Sequence, residues 1–210
     1  MTRRYPDIRA GLLAAVLALA TVLPGCGGTP LNSDRIRATY GSYTITVLDQ
    51  DRRWRVSSLA SLHDGRPVTR TLALVRFENP GLRALAREDR RIRAGASIGS
   101  TFREFGWSID KPTIFLDNVA LHGEAQALAS LMDIRLPATL AVHAYRFNVR
   151  SRYGAFTYAT IIELHHPDYL DVEQLAELHA FRPGSGGADG EKLLAGLRAV
   201  LTNLPEQVSR

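Results

Sequence analysis

The stretch that most constrains this chain runs from Leu140 to Arg150, breaks at Ser151-Arg152-Tyr153-Gly154, and resumes from Ala155 to His165. Two alternating runs rich in β-branched and aromatic residues around a short polar turn predict an antiparallel hairpin. A four-residue turn pairs odd positions of the first strand with even positions of the second. The expected core face then holds Tyr145, Phe147 and Val149 with Phe156, Tyr158, Ile162 and Leu164. The opposite face carries Arg146, Asn148, Arg150, Thr157 and Glu163.

Three further strands are expected upstream. Tyr43 to Leu48 ends at the polar Asp49–Arg52, Trp54 to Leu62 ends at His63-Asp64-Gly65, and Val68 to Phe77 ends at Asn79-Pro80-Gly81. Asp-Gly between apolar runs is a strong hairpin signal, so these form a meander. Helical periodicity follows over Leu82–Ile92, with Leu82, Leu85, Ala86 and Ile92 on one stripe, and Thr101–Glu104 offers a capping box for a short helix. Trp107–Ile109 and Thr113–Leu116 read as extended, and Glu124–Met132 as helical. After the hairpin, Asp168 is expected to cap a helix over Tyr169–His179; Pro183–Gly190 reads as a connector and Glu191–Leu204 as a last amphipathic helix. The expected class is α+β: an antiparallel sheet of five or six strands with helices packed mainly on one face.

Ahead of this domain, Arg3, Arg4 and Arg9 precede an uncharged apolar run from Ala10 to Leu23. The run is shorter than the about 20 residues of a membrane span and fits the h-region of a signal peptide. Leu23-Pro24-Gly25-Cys26 resembles the lipobox of bacterial lipoprotein precursors: Leu at −3, a small residue at −1 and Cys at +1. Pro24 departs from that family, which favours a small or β-branched residue at −2. The resemblance implies cleavage before Cys26, a diacylglyceryl group on its sulfur and acylation of the new amino terminus. It divides the chain into a signal peptide (1–25), the lipidated cysteine with a short flexible leader (26–33), and one domain (34–210). Gly27 stands where the family's inner-membrane retention signal has Asp, which implies an outer-membrane anchor facing the periplasm. Thr2-Arg3-Arg4 leaves twin-arginine export open beside the general secretory route.

Cys26 is the only cysteine, so the domain has no disulfide, cysteine nucleophile or thiolate metal site. The net charge of +5 is carried almost wholly by arginine, with Lys111 and Lys192 the only lysines. Residues 34–110 hold 14 Arg against 9 acids. In an envelope compartment such a surface suits an envelope protein, peptidoglycan or anionic lipid, and excludes nucleic acid.

The one chemically suggestive cluster is Glu163-Leu164-His165-His166-Pro167-Asp168. Histidines and carboxylates at this density suit zinc. Strand alternation, however, sends Glu163 and His165 to one face and His166 to the other with His143, so no metal and no cofactor are expected. His63-Asp64 with Ser57, Ser58 or Ser61 lacks a Gly-x-Ser-x-Gly elbow, and Gly95–Thr101 lacks the lysine of a phosphate loop. No residue earns a catalytic role. The expected function is a non-enzymatic interaction or accessory subunit. A periplasmic ligand or lipid carrier is the alternative, and a hydrolase, metal-dependent at His165 among the options, comes third. Arg146, Arg150 and Arg152 form the expected contact face, because arginine's planar fork suits carboxylate and phosphate.

Overall fold

The computed structural model describes residues 30–152 and 154–185. Leu23, Pro24, Gly25, Cys26 and the expected helix Glu191–Leu204 lie outside the described residues. Seven strands form one antiparallel sheet: β1 (Thr44–Gln50), β2 (Trp54–His63), β3 (Arg66–Phe77), β4 (Ser108–Asp110), β5 (Thr113–Leu121), β6 (Ala138–Ser151) and β7 (Gly154–His165). The order is β1-β2-β3-β7-β6, and β4 and β5 share the far edge of β6, pairing with different stretches of it. The β2–β3 turn is made at Asp64 and Gly65, both with positive φ (49° and 78°), as a two-residue hairpin turn demands.

Five α-helices cover the sheet: α1 (Asn32–Tyr40), α2 (Ala86–Arg93), α3 (Ile98–Glu104), α4 (Gln126–Met132) and α5 (Val172–His179). Leu128 and Met132 of α4 pack with Leu72, Leu74, Val142, Ile162 and Leu164 on one face. On the other, Ile92 and Phe102 of α2 and α3 meet Val75, Tyr145, Phe147 and Ile161, while Ile36 of α1 and Leu175 of α5 meet Leu59, Ala73 and Ala141. The class is α+β as expected, with four helices on one face and one on the other.

Local details differ from the sequence reading for identifiable reasons. Leu31, Asn32 and Ser33 are buried and open α1, so the folded part reaches into the stretch read as a leader. Leu31 lies against Gly99 of α3, where an added Cβ would sit 2.8 Å from its Cδ2. The expected Leu82–Ile92 helix starts as a 3-10 turn (Arg83–Leu85), and Glu88 turns inward to accept from the Trp107 indole N–H at 3.0 Å. Thr101 lies inside α3 rather than capping it, its hydroxyl donating to the Ser97 carbonyl at 2.7 Å. Asp171, not Asp168, caps α5, in a reciprocal box with Gln174. Arg55, wholly buried on β2, donates to the carbonyls of Ile92 (2.8 Å) and Ala96 (3.0 Å) at the C-terminal end of α2. There it meets the negative end of the helix dipole.

The largest difference is in the hairpin. Near the turn, Val149 faces Phe156 as expected, but Phe147 faces Ala159 while Asn148 faces Thr157. Tyr158 is the extra residue of a β-bulge, and beyond it odd positions pair with odd: Tyr145 with Ile161, His143 with Glu163, Ala141 with His165. A slip of one residue exchanges the faces of everything downstream. Ile162 and Leu164 therefore join the α4 face, and Glu163 joins the aromatic face.

Candidate functional site

The bulge assembles a polar cluster beneath α1 and α5. One row across the sheet reads Ser57, Ala73, Glu163 and His143, and the next reads Leu59, Thr71, His165 and Ala141. His143, Glu163 and His165 are all buried, and each presents a ligand-type atom within 4.8 Å of the other two. Sequence alternation had placed His143 on the opposite face from Glu163; the extra residue at Tyr158 brings them into direct register. His166 does lie on the far side, where its Nδ1 accepts from the Asp168 backbone N–H at 3.0 Å. Asp168 itself is exposed, so the contiguous set Glu163, His165, His166 and Asp168 is not brought together.

Each member of the cluster is held by a neighbour. The Tyr145 hydroxyl donates to Glu163 Oε1 at 3.2 Å. His143 Nε2 shares a 2.9 Å hydrogen bond with Thr113 Oγ1, and His165 Nδ1 shares one of 3.1 Å with Thr71 Oγ1. Thr71 also accepts from Asn32 Nδ2 at 3.1 Å, and Asn32 Oδ1 accepts from the Tyr169 hydroxyl at 2.7 Å, which ties the row to α1 and to the turn ahead of α5. His179 of α5 stacks over His143 with ring centroids 4.0 Å apart. His165 Nε2 is the exception: it is buried without a hydrogen-bond partner, 3.7 Å from Glu163 Oε2.

Burial keeps both imidazoles uncharged. It pushes His143 down to about 2, helped by His179, His165, Lys111 and Arg35, and His165 down to about 3, helped by Arg35 and His179. Lys111 places its ammonium 5.3 Å from the Tyr145 ring centre; desolvation lowers its pKa and Glu163 opposes the shift. Burial and Glu163 together raise the Tyr145 hydroxyl well above its ordinary value. Because Ser57 and Ala73 are small, a cavity of about 60 Å³ opens beside Glu163, bounded also by Lys111, Arg55 and Asn32. A cavity of this size holds a few waters, not a lipid chain.

A second feature lies at the turn end of the hairpin. Arg83, Arg87, Arg90, Arg150 and Arg152 line one open groove with Phe105 and Trp107. Arg87 lies over the Phe105 ring, 3.9 Å from its centre. Among the described residues no carboxylate comes within 4.0 Å of Arg83, Arg87, Arg90 or Arg150. Of the three arginines expected to form a contact face, Arg150 and Arg152 line this groove, and Arg146 stands apart beside Glu78. The contribution of α2 had no signal in strand alternation; the run Arg83, Arg87, Arg90 at helical spacing carried it.

Among the described residues, the serines weighed as nucleophiles are bonded elsewhere and not to His63 or Asp64. His63 and Asp64 are exposed at a turn, whereas Ser57, Ser58 and Ser61 are buried and bonded to Arg55, Thr69 and Arg70. No family model matches the sequence, and no curated protein resembles it at a significant level. No helix among the described residues is long and apolar enough to cross a membrane.

Proposed function

We propose that this protein is a lipid-anchored envelope lipoprotein, held through Cys26 at the periplasmic face of the outer membrane. In that reading it acts as a non-enzymatic accessory subunit that docks an anionic partner. One observation carries the docking: exposed Arg83 from the turn ahead of α2, Arg87 and Arg90 of α2 and Arg150 of β6 line a single groove, none with a carboxylate within 4.0 Å among the described residues. Its acidic lining residue, Glu88, is buried and bonded to Trp107. Unpaired guanidinium groups beside aromatic walls favour carboxylate or phosphate, each able to take two parallel hydrogen bonds. A walled groove suits a strand-like polyanion, such as a peptidoglycan stem with its carboxylates, better than a flat lipid surface. Tethering raises the local concentration of such a partner.

Two measurements test the reading. Intact mass of the membrane-extracted protein is expected to start at Cys26 with a diacylglyceryl and an amide-linked acyl group, and Cys26→Ser to abolish both. Arg90→Glu with Arg150→Glu is expected to weaken binding to isolated sacculi, most strongly at low salt, while Arg146→Glu leaves it unchanged. Equal loss with Arg146→Glu, or retention on phosphatidylglycerol vesicles alone, removes the groove or the peptidoglycan assignment respectively.

A further inference from the structure

We propose that His143, Glu163 and His165 form a binding site for a divalent transition metal of the zinc type. The donor set is two imidazoles and one carboxylate, which zinc accepts readily. With bonds of about 2.0–2.2 Å, a tetrahedral ion holds its ligands roughly 3.4 Å apart. The His165 Nε2 to Glu163 Oε2 edge already measures 3.7 Å, and no edge of the triangle exceeds 4.8 Å. Small side-chain rotations close the remainder.

Two features separate this cluster from an ordinary buried polar patch. His165 Nε2 is buried, unpartnered and turned toward Glu163. At 3.7 Å the pair is too far apart for a hydrogen bond, so the nitrogen bears the cost of an unmet polar group. A cation between them satisfies both atoms. The second feature is the shell behind the ligands. Each histidine has one ring nitrogen on a threonine hydroxyl, Thr113 for His143 and Thr71 for His165. Ligating imidazoles are oriented in this way, with the second nitrogen anchored and the first left to the ion. Tyr145 holds the other carboxylate oxygen.

The cavity reaches the cluster at Glu163, while His143 and His165 lie off its wall, so water or a small anion reaches the ion from the carboxylate side. Lys111 on that cavity wall favours an anionic fourth ligand, and together with Arg35 it disfavours a bare cation. The site is thus expected to bind its metal less tightly than an all-thiolate structural zinc site. It stands independently of the envelope reading, since neither the anchor nor the arginine groove contributes a ligand.

The test uses the full-length protein, purified without an affinity tag, stripped with chelator and titrated with Co²⁺ and then Zn²⁺. One equivalent of Co²⁺ is expected to give visible absorption of a low-symmetry site, displaced by Zn²⁺. Glu163→Gln and His165→Ala should each weaken binding by about 100-fold or more, and His166→Ala on the other face should leave it unchanged. Should either ligand variant lose its near-ultraviolet circular dichroism, Thr71→Ala carries the test. It touches the ion only through His165, and about 10-fold weaker binding is expected. Absence of saturable binding below millimolar Co²⁺ overturns the proposal. So does wild-type affinity in Glu163→Gln, His165→Ala or Thr71→Ala, or loss of binding in His166→Ala.

Discussion

On the α4 side of the sheet, Leu72, Leu74, Val142 and Leu164 meet Leu128 and Met132 in a layer of hydrocarbon. On the other side, beneath α1 and α5, the neighbouring positions of the same strands hold Thr71, His165, Glu163 and His143. Both layers are buried, so the difference is not one of exposure. Packing alone stabilises the first. The second replaces apolar area with groups that must each find a partner, and it leaves one of them, His165 Nε2, without one. A fold that needed only stability would repeat the α4 layer twice. Polar groups concentrated on one face mark where the molecule gives up stability for something else.

The comparison can be broken at several points. The largest loss belongs to the apolar layer, where Leu128→Ala or Leu140→Ala opens a cavity with no polar group to accept water. Each is expected to cost about 2–5 kcal/mol in denaturant unfolding. A smaller value would mean that α4 covers the sheet loosely.

Acid should act on the polar layer, with His166 on the far side and the ion-paired Asp34 and Glu78 adding to it. In the metal-free protein the folded-state values of His143 (about 2) and His165 (about 3) lie below the ordinary 6.5 of the unfolded chain. The unfolded state then binds more protons, so stability is full above pH 6.5 and falls as pH drops toward 3. Arg35, Lys111 and His179 act in the same direction as burial. Two such groups give a slope approaching about 3 kcal/mol per pH unit. Replacing both histidines with glutamine should flatten the profile between pH 6 and 4; an unchanged slope would assign acid sensitivity elsewhere.

Glu163→Gln keeps the shape and the bond from Tyr145 but removes the charge facing Lys111. In metal-free protein a cost of about 1–3 kcal/mol is expected, against the smaller effect of Tyr145→Phe. The smallest effect belongs to the exposed arginines. Arg90→Glu with Arg150→Glu should shift stability by no more than about 0.5 kcal/mol each, which separates the groove's binding role from folding.

Much of this architecture was legible in the chain. The meander from Thr44 to Phe77 and the hairpin from Ala138 to His165 follow from alternation and turn chemistry. Helix α1 was not legible, because its inward side is Asn32, Ser33 and a single Ile36, and polar residues that bury only through tertiary bonds leave no periodic apolar stripe. Asp171-x-x-Gln174 was a readable capping box, masked by Asp168 placed directly after Pro167. The cluster was lost to one bulge, and even that left a trace. Thr157 and Thr160, paired with Asn148 and Arg146, are three residues apart where a regular strand spaces same-face residues by two.

The bulge at Tyr158 makes the cluster a matter of counting rather than of chemistry. Because Tyr158 is the extra residue, deleting it would make the pairing regular and leave every partner beyond it unchanged, with Ala159 still opposite Phe147 and Glu163 still opposite His143. Regular pairing at the present length would do the opposite: Ile162 would stand opposite His143, and Glu163 and His165 would face α4. A frame-preserving gain of a single codon between Tyr158 and Glu163, with the bulge kept, would likewise turn Glu163 and His165 to the α4 side. Substitution at Tyr158 that keeps both the residue count and the bulge leaves the parity intact. The residue count of this short segment, taken together with the bulge that absorbs it, is what selection on the cluster would have to guard.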